Sequence, residues 1–207
     1  MQLLQLGVNH KTAPIEVRDK LSMGSEKRCE FAEKIKNIDY IDEIFLLSTC
    51  NRLEIYLSGD SKKGRDYCLA QMENHSGIPS SELESYLYSH RDFSAVNHFF
   101  RVASGLDSLV TGESQILSQI KEQYEKSRKA GMTDTYLNRL CLEAIKVGKR
   151  VRTETSINKR AVSVSYAAVE LAREIFGSLS GEKVMILGAG ETSELTLKSL
   201  VDYGVEG

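Results

Sequence analysis

No stretch of the chain approaches the ~18–20 consecutive apolar residues of a membrane span. The first residues, MQLLQLGVNHKTAP, lack the basic start and long apolar core of a secretory signal. A cytoplasmic, reducing location without a membrane partner is therefore expected. Cysteine is sparse: Cys29, Cys50, Cys68 and Cys141 are the whole set, and none of them forms a CxxC. That spacing signals neither a zinc site nor a disulfide framework, so no metal is expected. Excess positive charge is missing too. A formal charge of −2 argues against a broad basic coat for nucleic acid, while leaving room for a local stripe. Internal repeats and low-complexity tracts are absent.

What remains is an ordinary globular composition, 41% hydrophobic and 27% charged over 207 residues. It can build a core without disulfide staples. The length allows one large domain or two small ones.

Residues 3–8 (LLQLGV) read as a buried strand ending in the polar Asn9-His10-Lys11. Pro14 opens a short helix through Leu21, and Ser25 is placed to cap a helix over 26–36. Ile44 to Leu47 is a second buried strand. After Thr49-Cys50-Asn51-Arg52, the alternation of residues 53–58 (LEIYLS) predicts a third strand with one wet face. Residues 64–74 read as helical, and Tyr86-Leu87-Tyr88 as a fourth strand. Strands and helices interleaved in this way predict an α+β sandwich. From Asp92 the pattern is helical: Asp92 caps one helix stopped by Gly105, a second runs over 114–130 to Gly131, and Thr133 caps a long third through Arg152. Residues 156–161 (SINKRA) are a connector, and 163–176 is a further amphipathic helix ended by Gly177. Lys183 to Leu187 then reads as an apolar strand, followed by Gly188-Ala189-Gly190-Glu191-Thr192-Ser193 and a helix to Tyr203. This is the strand, glycine turn and helix that opens a dinucleotide-binding unit.

The candidate chemistry lies in a few places. Three of the four cysteines fall in helical patterns and read as small buried hydrophobes. Cys50 instead sits where a buried strand ends, with Arg52 two positions on. A neighbouring guanidinium favours the thiolate, which is the nucleophilic form. The glycine turn suits a pyrophosphate, because glycine permits close backbone approach and the helix N-terminus offers free N–H groups. A tight turn without a ligand is the plainer reading. His98 precedes the apolar pair Phe99-Phe100 and fits either a hydrogen-bonded packing residue or a catalytic one. His75 and His90 read as solvated. Gln115 and Gln119 share a helix face that either contacts a polar substrate or is simply exposed. The basic run Arg139, Lys146, Lys149, Arg150, Arg152, Lys159 and Arg160 is a solvated helix face or a phosphate stripe.

Five segments occur in one order: GVNHKTAP, STCNRLEIY, AVNHFFRVASGLDSLVTGESQILSQIK, GKRVRTETSI and VMILGAGETSEL. Together they resemble the front part of the glutamyl-tRNA reductases. The resemblance implies a catalytic domain over 1–155, a linker and connecting helix over 156–180, and the start of an NADPH-binding Rossmann domain over 181–207. Cys50 is implied to attack the ester joining glutamate to tRNA, with His98 as the second residue needed for activity. Thr49, Asn51, Arg52, Ser108, Glu113, Ser114, Gln115 and Gln119 are implied substrate contacts, with Arg52 as the partner of a substrate carboxylate. Ser114 stands where the family usually has proline. Gly188, Ala189, Gly190, Glu191, Thr192 and Ser193 match the NADPH phosphate loop. The implied product is glutamate-1-semialdehyde, a tetrapyrrole (porphyrin) precursor. The implied partners are glutamyl-tRNA, a downstream semialdehyde aminomutase and, for the longer family proteins, a second copy. The chain is expected to be a piece of such a protein, to bind NADPH weakly or not at all, and either to hold residues 183–207 loosely or to pair them with another chain through the exposed strand edge. Other readings are a thioester-forming dehydrogenase acting on a non-tRNA acyl substrate and a non-catalytic tRNA-binding module.

Overall fold

The computed structural model describes residues 2–113, 115–157, 164–188 and 190–206. Four antiparallel strands form one sheet in the order β2-β3-β1-β4, from β1 (Gln2–Asn9), β2 (Ile41–Ser48), β3 (Arg52–Gly59) and β4 (Tyr88–Arg91). Alternation along the strands sorts the side chains into two faces. Leu4, Leu6, Val8, Ile44, Leu46, Ile55 and Leu57 face one helical layer, made of α1 (Ile15–Leu21), α2 (Ser25–Lys36) and α3 (Ser61–Ser76). Leu3, Phe45, Leu47 and Tyr56 face the other, made of α5 (Asp92–Ala103), α6 (Gln115–Lys129) and α7 (Thr135–Glu154). The expected sandwich is thus a sheet between two helical layers. Each fully buried Leu, Ile or Phe contributes about 1.5–3 kcal/mol of transfer free energy, so both layers are held to the sheet.

This second layer corrects the reading of the third strand. Its alternation predicts a wet face, yet β3 is buried along almost its whole length. The polar positions Arg52, Glu54 and Ser58 are covered as completely as the apolar ones. Helices α5 to α7 supply the cover, and a pattern of period two cannot distinguish water from a buried polar network.

Several boundaries move for local reasons. Gly24, not Ser25, caps α2. The fourth strand starts later, because Ser80–Tyr86 coil into α4, leaving Tyr88–Arg91 to pair with β1. Asp92 is the first residue of α5, at φ +46°, and its carboxylate accepts the Leu3 N–H. The long helix α7 begins after Asp134 rather than at Thr133. Its free N–H groups are met from the sheet: buried Glu43 of β2 accepts from Asp134, Tyr136 and Leu137 at 2.7, 3.0 and 2.8 Å. A carboxylate there also complements the helix dipole.

Farther on, α8 (Val164–Phe176) and α9 (Glu191–Asp202) pack on each other through Val169, Leu179 and Leu200. The expected strand at 183–187 does not form. Among the described residues no other strand lies beside it, and a lone strand has no ladder to satisfy its backbone. Met185, Leu187, Leu197 and Val201 are left exposed. The helix start proposed at residue 163 lies outside the described residues.

Candidate active site

The Cys50 turn joins β2 to β3. Thr49 N–H donates to the Arg52 carbonyl, continuing the ladder. The Thr49 hydroxyl accepts the Asn51 N–H at 3.2 Å. Cys50 itself is exposed, whereas Cys68 and Cys141 are buried and Cys29 half-buried. Burial pushes the Cys68 thiol up to about 12 and raises that of Cys141 as well. A buried thiol held protonated is not a nucleophile at neutral pH.

Two groups absent from the sequence reading hold this turn. Arg18 of α1 donates to the Cys50 carbonyl at 2.7 Å and to Asn51 Oδ1 at 3.2 Å, while its Nε donates to the Ala13 carbonyl. From the other side, Gln123 of α6 clamps Ser48: its Nε2 donates to the Ser48 carbonyl and its Oε1 accepts the Ser48 N–H, both at 2.9 Å. Gln115, Gln119 and Gln123 recur every four residues and so share one face. Gln123 is anchored at the strand end, and Gln115 and Gln119 lie on the same helix face. Both are half-buried there.

Behind the turn lies a buried polar cluster centred on Glu54. Its Oε1 accepts from Arg52 Nη1 at 2.7 Å, the Tyr88 hydroxyl at 2.6 Å and His98 Nε2 at 2.9 Å. Its Oε2 accepts from the Tyr56 hydroxyl at 2.5 Å. Burial opposes ionisation of this carboxyl. Arg52, with hydrogen bonds from His98 and Tyr56, outweighs burial and holds it well below the usual carboxylate range. Burial alone would lower the Arg52 pKa, but Glu54 more than offsets it, so the guanidinium stays charged. Tyr56 and Tyr88 are pushed up by burial and by Glu54, which keeps both hydroxyls protonated as donors.

Arg52, the expected partner of a substrate carboxylate, is already engaged within the protein. Arg52 is 3% exposed, and besides Glu54 it donates to Asp107 Oδ2 at 3.3 Å and to the Asp107 carbonyl at 2.6 Å. Its charge is already balanced inside the protein. Lys11 is an accessible cation nearby, half exposed and 2.5 Å from Asp107 Oδ1. Lys11 is placed by the NHKTAP turn, in which Asn9 accepts the Lys11 N–H on its side chain and the Ala13 N–H on its carbonyl. Burial opposes the charge on Asp107. The Lys11 hydrogen bond and Arg52 prevail, and hold its carboxyl below the ordinary value.

His90, expected to be solvated, instead lies in β4 with its ring stacked on His98, centroids 4.6 Å apart. Burial, then the nearness of His98, lowers its pKa. Ser108 is buried with its hydroxyl unpartnered among the described residues, as is Nδ1 of His10. The His10 N–H donates to the Asn51 carbonyl, and Asp107, which precedes Ser108, accepts from Arg52 on its carbonyl. Glu113 is half-buried, and its carbonyl accepts from Arg152 at 2.8 Å. Ser114 lies outside the described residues.

Of the basic run, Lys146 pairs with Glu143, Arg150 pairs with Glu154, and Arg152 turns inward to the Ala103 carbonyl. Lys159 and Arg160 lie outside the described residues. At the glycine turn, Gly188 has φ +126°, and Gly190 is the N-cap of α9 and, being glycine, offers no side chain to cap it. Ser193 N–H donates to the Gly190 carbonyl at 2.9 Å. A glycine-only backbone ahead of an uncapped helix start fits a dinucleotide phosphate. Ala189 and the side chains of Glu191 and Thr192 lie outside the described residues. Those residues contain no cluster of His, Cys, Asp and Glu able to hold a metal, and no helix long and apolar enough to cross a membrane.

An antiparallel α+β unit with an exposed turn cysteine over a buried carboxylate cluster, followed by a glycine turn and helix, defines a two-part class: a cysteine site joined to the opening of a nucleotide-binding fold. The comparisons agree. Residues 6–155 match the family described as glutamyl-tRNA(Glu) reductase, N-terminal domain, and residues 170–207 match shikimate/quinate 5-dehydrogenase. The glutamyl-tRNA reductase of Pelotomaculum thermopropionicum is 46% identical over 99% of this chain, and that of Carboxydothermus hydrogenoformans 44% identical over all of it. The chain spans about half the length of these relatives, 46% of each. The solved glutamyl-tRNA reductase from Methanopyrus kandleri superposes with a TM-score of 0.68 at 36% identity, over 98% of this chain and 47% of that one. The chain belongs to the glutamyl-tRNA reductase family.

Proposed function

We propose that this chain carries the glutamyl-accepting part of an NADPH-dependent glutamyl-tRNA reductase, which starts tetrapyrrole synthesis from glutamate. The observation that carries the reading is the exposure of Cys50 on a turn held from both sides by Arg18 and Gln123. In this reading Cys50 Sγ attacks the glutamyl ester carbon. The C–S bond forms as the C–O bond to the tRNA ribose breaks, and the ribose oxygen takes a proton. A thioester is a better hydride acceptor than an ester, so covalent capture divides one hard reduction into two easier steps.

Thr49, Asn51, Ser108, Glu113, Ser114, Gln115 and Gln119 are the proposed substrate contacts, with unpartnered Ser108 the best prepared. Arg52 acts from beneath through Asp107 and Glu54, and His98 handles the proton. Gly188 to Ser193 would hold the pyrophosphate of NADPH, which supplies hydride when bound. The proposed division is a catalytic domain over 1–155, a connector over 156–180 and the start of the nucleotide domain from 181. The longer family proteins are proposed to pair with a second copy and to pass their aldehyde to a semialdehyde aminomutase.

The test incubates this chain with glutamyl-tRNA, with and without NADPH. Loss of the glutamyl ester in the wild type but not in Cys50→Ser is expected. Equal loss in both, or none in the wild type, would refute the reading.

A further inference from the structure

The buried cluster determines which nitrogen of His98 is free to act. Glu54 is fully buried and meets four donors: Arg52, Tyr56, Tyr88 and His98. An ionised carboxylate only accepts. The hydrogen between Glu54 Oε1 and His98 Nε2 therefore rides on Nε2. The ring cannot readily turn to exchange its nitrogens. It is stacked on His90 with planes 23° apart, and Tyr88 meets it edge-on at 5.4 Å. Glu54 fits at this depth because β1 carries Gly7 opposite it. A small part of the His98 side chain, 10%, remains exposed.

We propose that Glu54 is a positioning residue that fixes His98 as its Nε2–H tautomer, leaving Nδ1 as the nitrogen that meets the substrate. This rests on the functional reading above and names the atom that reading leaves open. A neutral ring so held accepts a proton at Nδ1 when the Cys50 thiol gives one up. The resulting imidazolium, stabilised by Glu54 at Nε2, returns that proton to the ribose oxygen as the C–O bond breaks. Proton and bond counts balance without a further reagent. Orientation of an imidazole through its far nitrogen is a general device for setting its tautomer.

Two measurements test this. The first is long-range ¹⁵N–¹H correlation NMR on histidine-labelled wild-type chain at mildly alkaline pH, with His98→Gln for assignment. A neutral Nε2–H pattern for His98 is expected. An Nδ1–H pattern or a doubly protonated ring overturns the proposal, and neither result depends on Cys50 chemistry. The second compares Glu54→Gln with the wild type in cleavage of the glutamyl ester. The Gln amide can donate to His98 Nε2, which moves the ring proton to Nδ1, the nitrogen assigned to the substrate. A loss of kcat of roughly ten-fold or more is expected, within the ~10²–10⁴-fold scale of proton-transfer catalysis, at similar KM. An unchanged kcat overturns the assignment of Nδ1. If the wild type cleaves no ester, the functional reading fails while the spectrum still decides the tautomer.

Discussion

Gly7 of β1 lies directly opposite Glu54 of β3, and a methyl group on Gly7 would stand 2.5 Å from the Leu53 carbonyl and 2.9 Å from Glu54 Cγ. The missing side chain on one strand is the space that the buried carboxylate on the next one fills. With Glu54 in place, Arg52, Tyr56, Tyr88 and His98 all have a partner beneath the Cys50 turn.

Gly7→Ala therefore destabilises the fold by about 1–3 kcal/mol, the usual cost of overpacking. The contacted atoms are a carbonyl and a side chain already bonded on both oxygens, so neither can yield easily. Urea unfolding of the variant against the wild type measures it, and an unchanged midpoint would mean the strands part at no cost.

Stability falls on acidification in two stages. His10 and His90 have pKa values below their ordinary 6.5, His10 through burial and then Arg52, and His90 through burial and then His98. Below pH 6.5 the unfolded chain binds these protons first, so stability declines from there. Glu54 and Asp107 lie below 4.5 and 3.8, as Arg52 and Lys11 outweigh burial. Their stabilisation is complete above those values and is lost as pH falls through them toward the folded ones. Urea midpoints from about pH 8 to 3 should be flat above the first window and steepest in the second. Glu54→Gln should remove most of the acid limb. A midpoint that rises on acidification contradicts the account.

Much of this was legible in the sequence. Two-fold and helical periodicity locate the sheet and most helices, and the strand-end position marks Cys50. The Glu54 cluster was hidden for a definite reason. In LEIYLS the polar residues fall at every second position, the pattern of a wet face, and only the long-range packing of α5 to α7 makes that face dry. The available signal was that Arg52, Glu54 and Tyr56 share one face of one strand. Arg18 and Gln123 were hidden because each acts on backbone atoms of a distant segment, 32 and 75 positions away, and no local motif marks such a contact. The strand expected at 183–187 failed for the opposite reason: its local pattern is right, but no neighbouring strand is present among the described residues.

Arg18 holds two acceptors of the Cys50 turn with one guanidinium. Arg18→Lys keeps the charge, but Nη1 makes both turn contacts while Nε holds the Ala13 carbonyl, and a single ammonium nitrogen cannot reach all three. Transfer to Cys50 should slow by roughly ten-fold, equivalent to about 1.4 kcal/mol in the barrier, with folding stability nearly unchanged. Single-turnover ester cleavage reads the rate, and equal rates would remove Arg18 from the account.

Gln123→Ala strips both bonds from the end of β2 and leaves a buried N–H and C=O at Ser48 unpaired. A loss of about 1–3 kcal/mol follows, together with faster amide exchange at Ser48. Hydrogen exchange by NMR measures both, and unchanged protection at Ser48 would show that the clamp is not needed.

The claim that Cys50 is the acceptor is tested most directly by trapping. The chain is mixed with glutamyl-tRNA, quenched in acid and digested, and the cysteine peptides are weighed by mass spectrometry. One glutamyl group is expected on the Cys50 peptide, removed by hydroxylamine and absent in Cys50→Ser. A glutamyl group on Cys29, Cys68 or Cys141 instead, or ester cleavage that persists in Cys50→Ser, would contradict it.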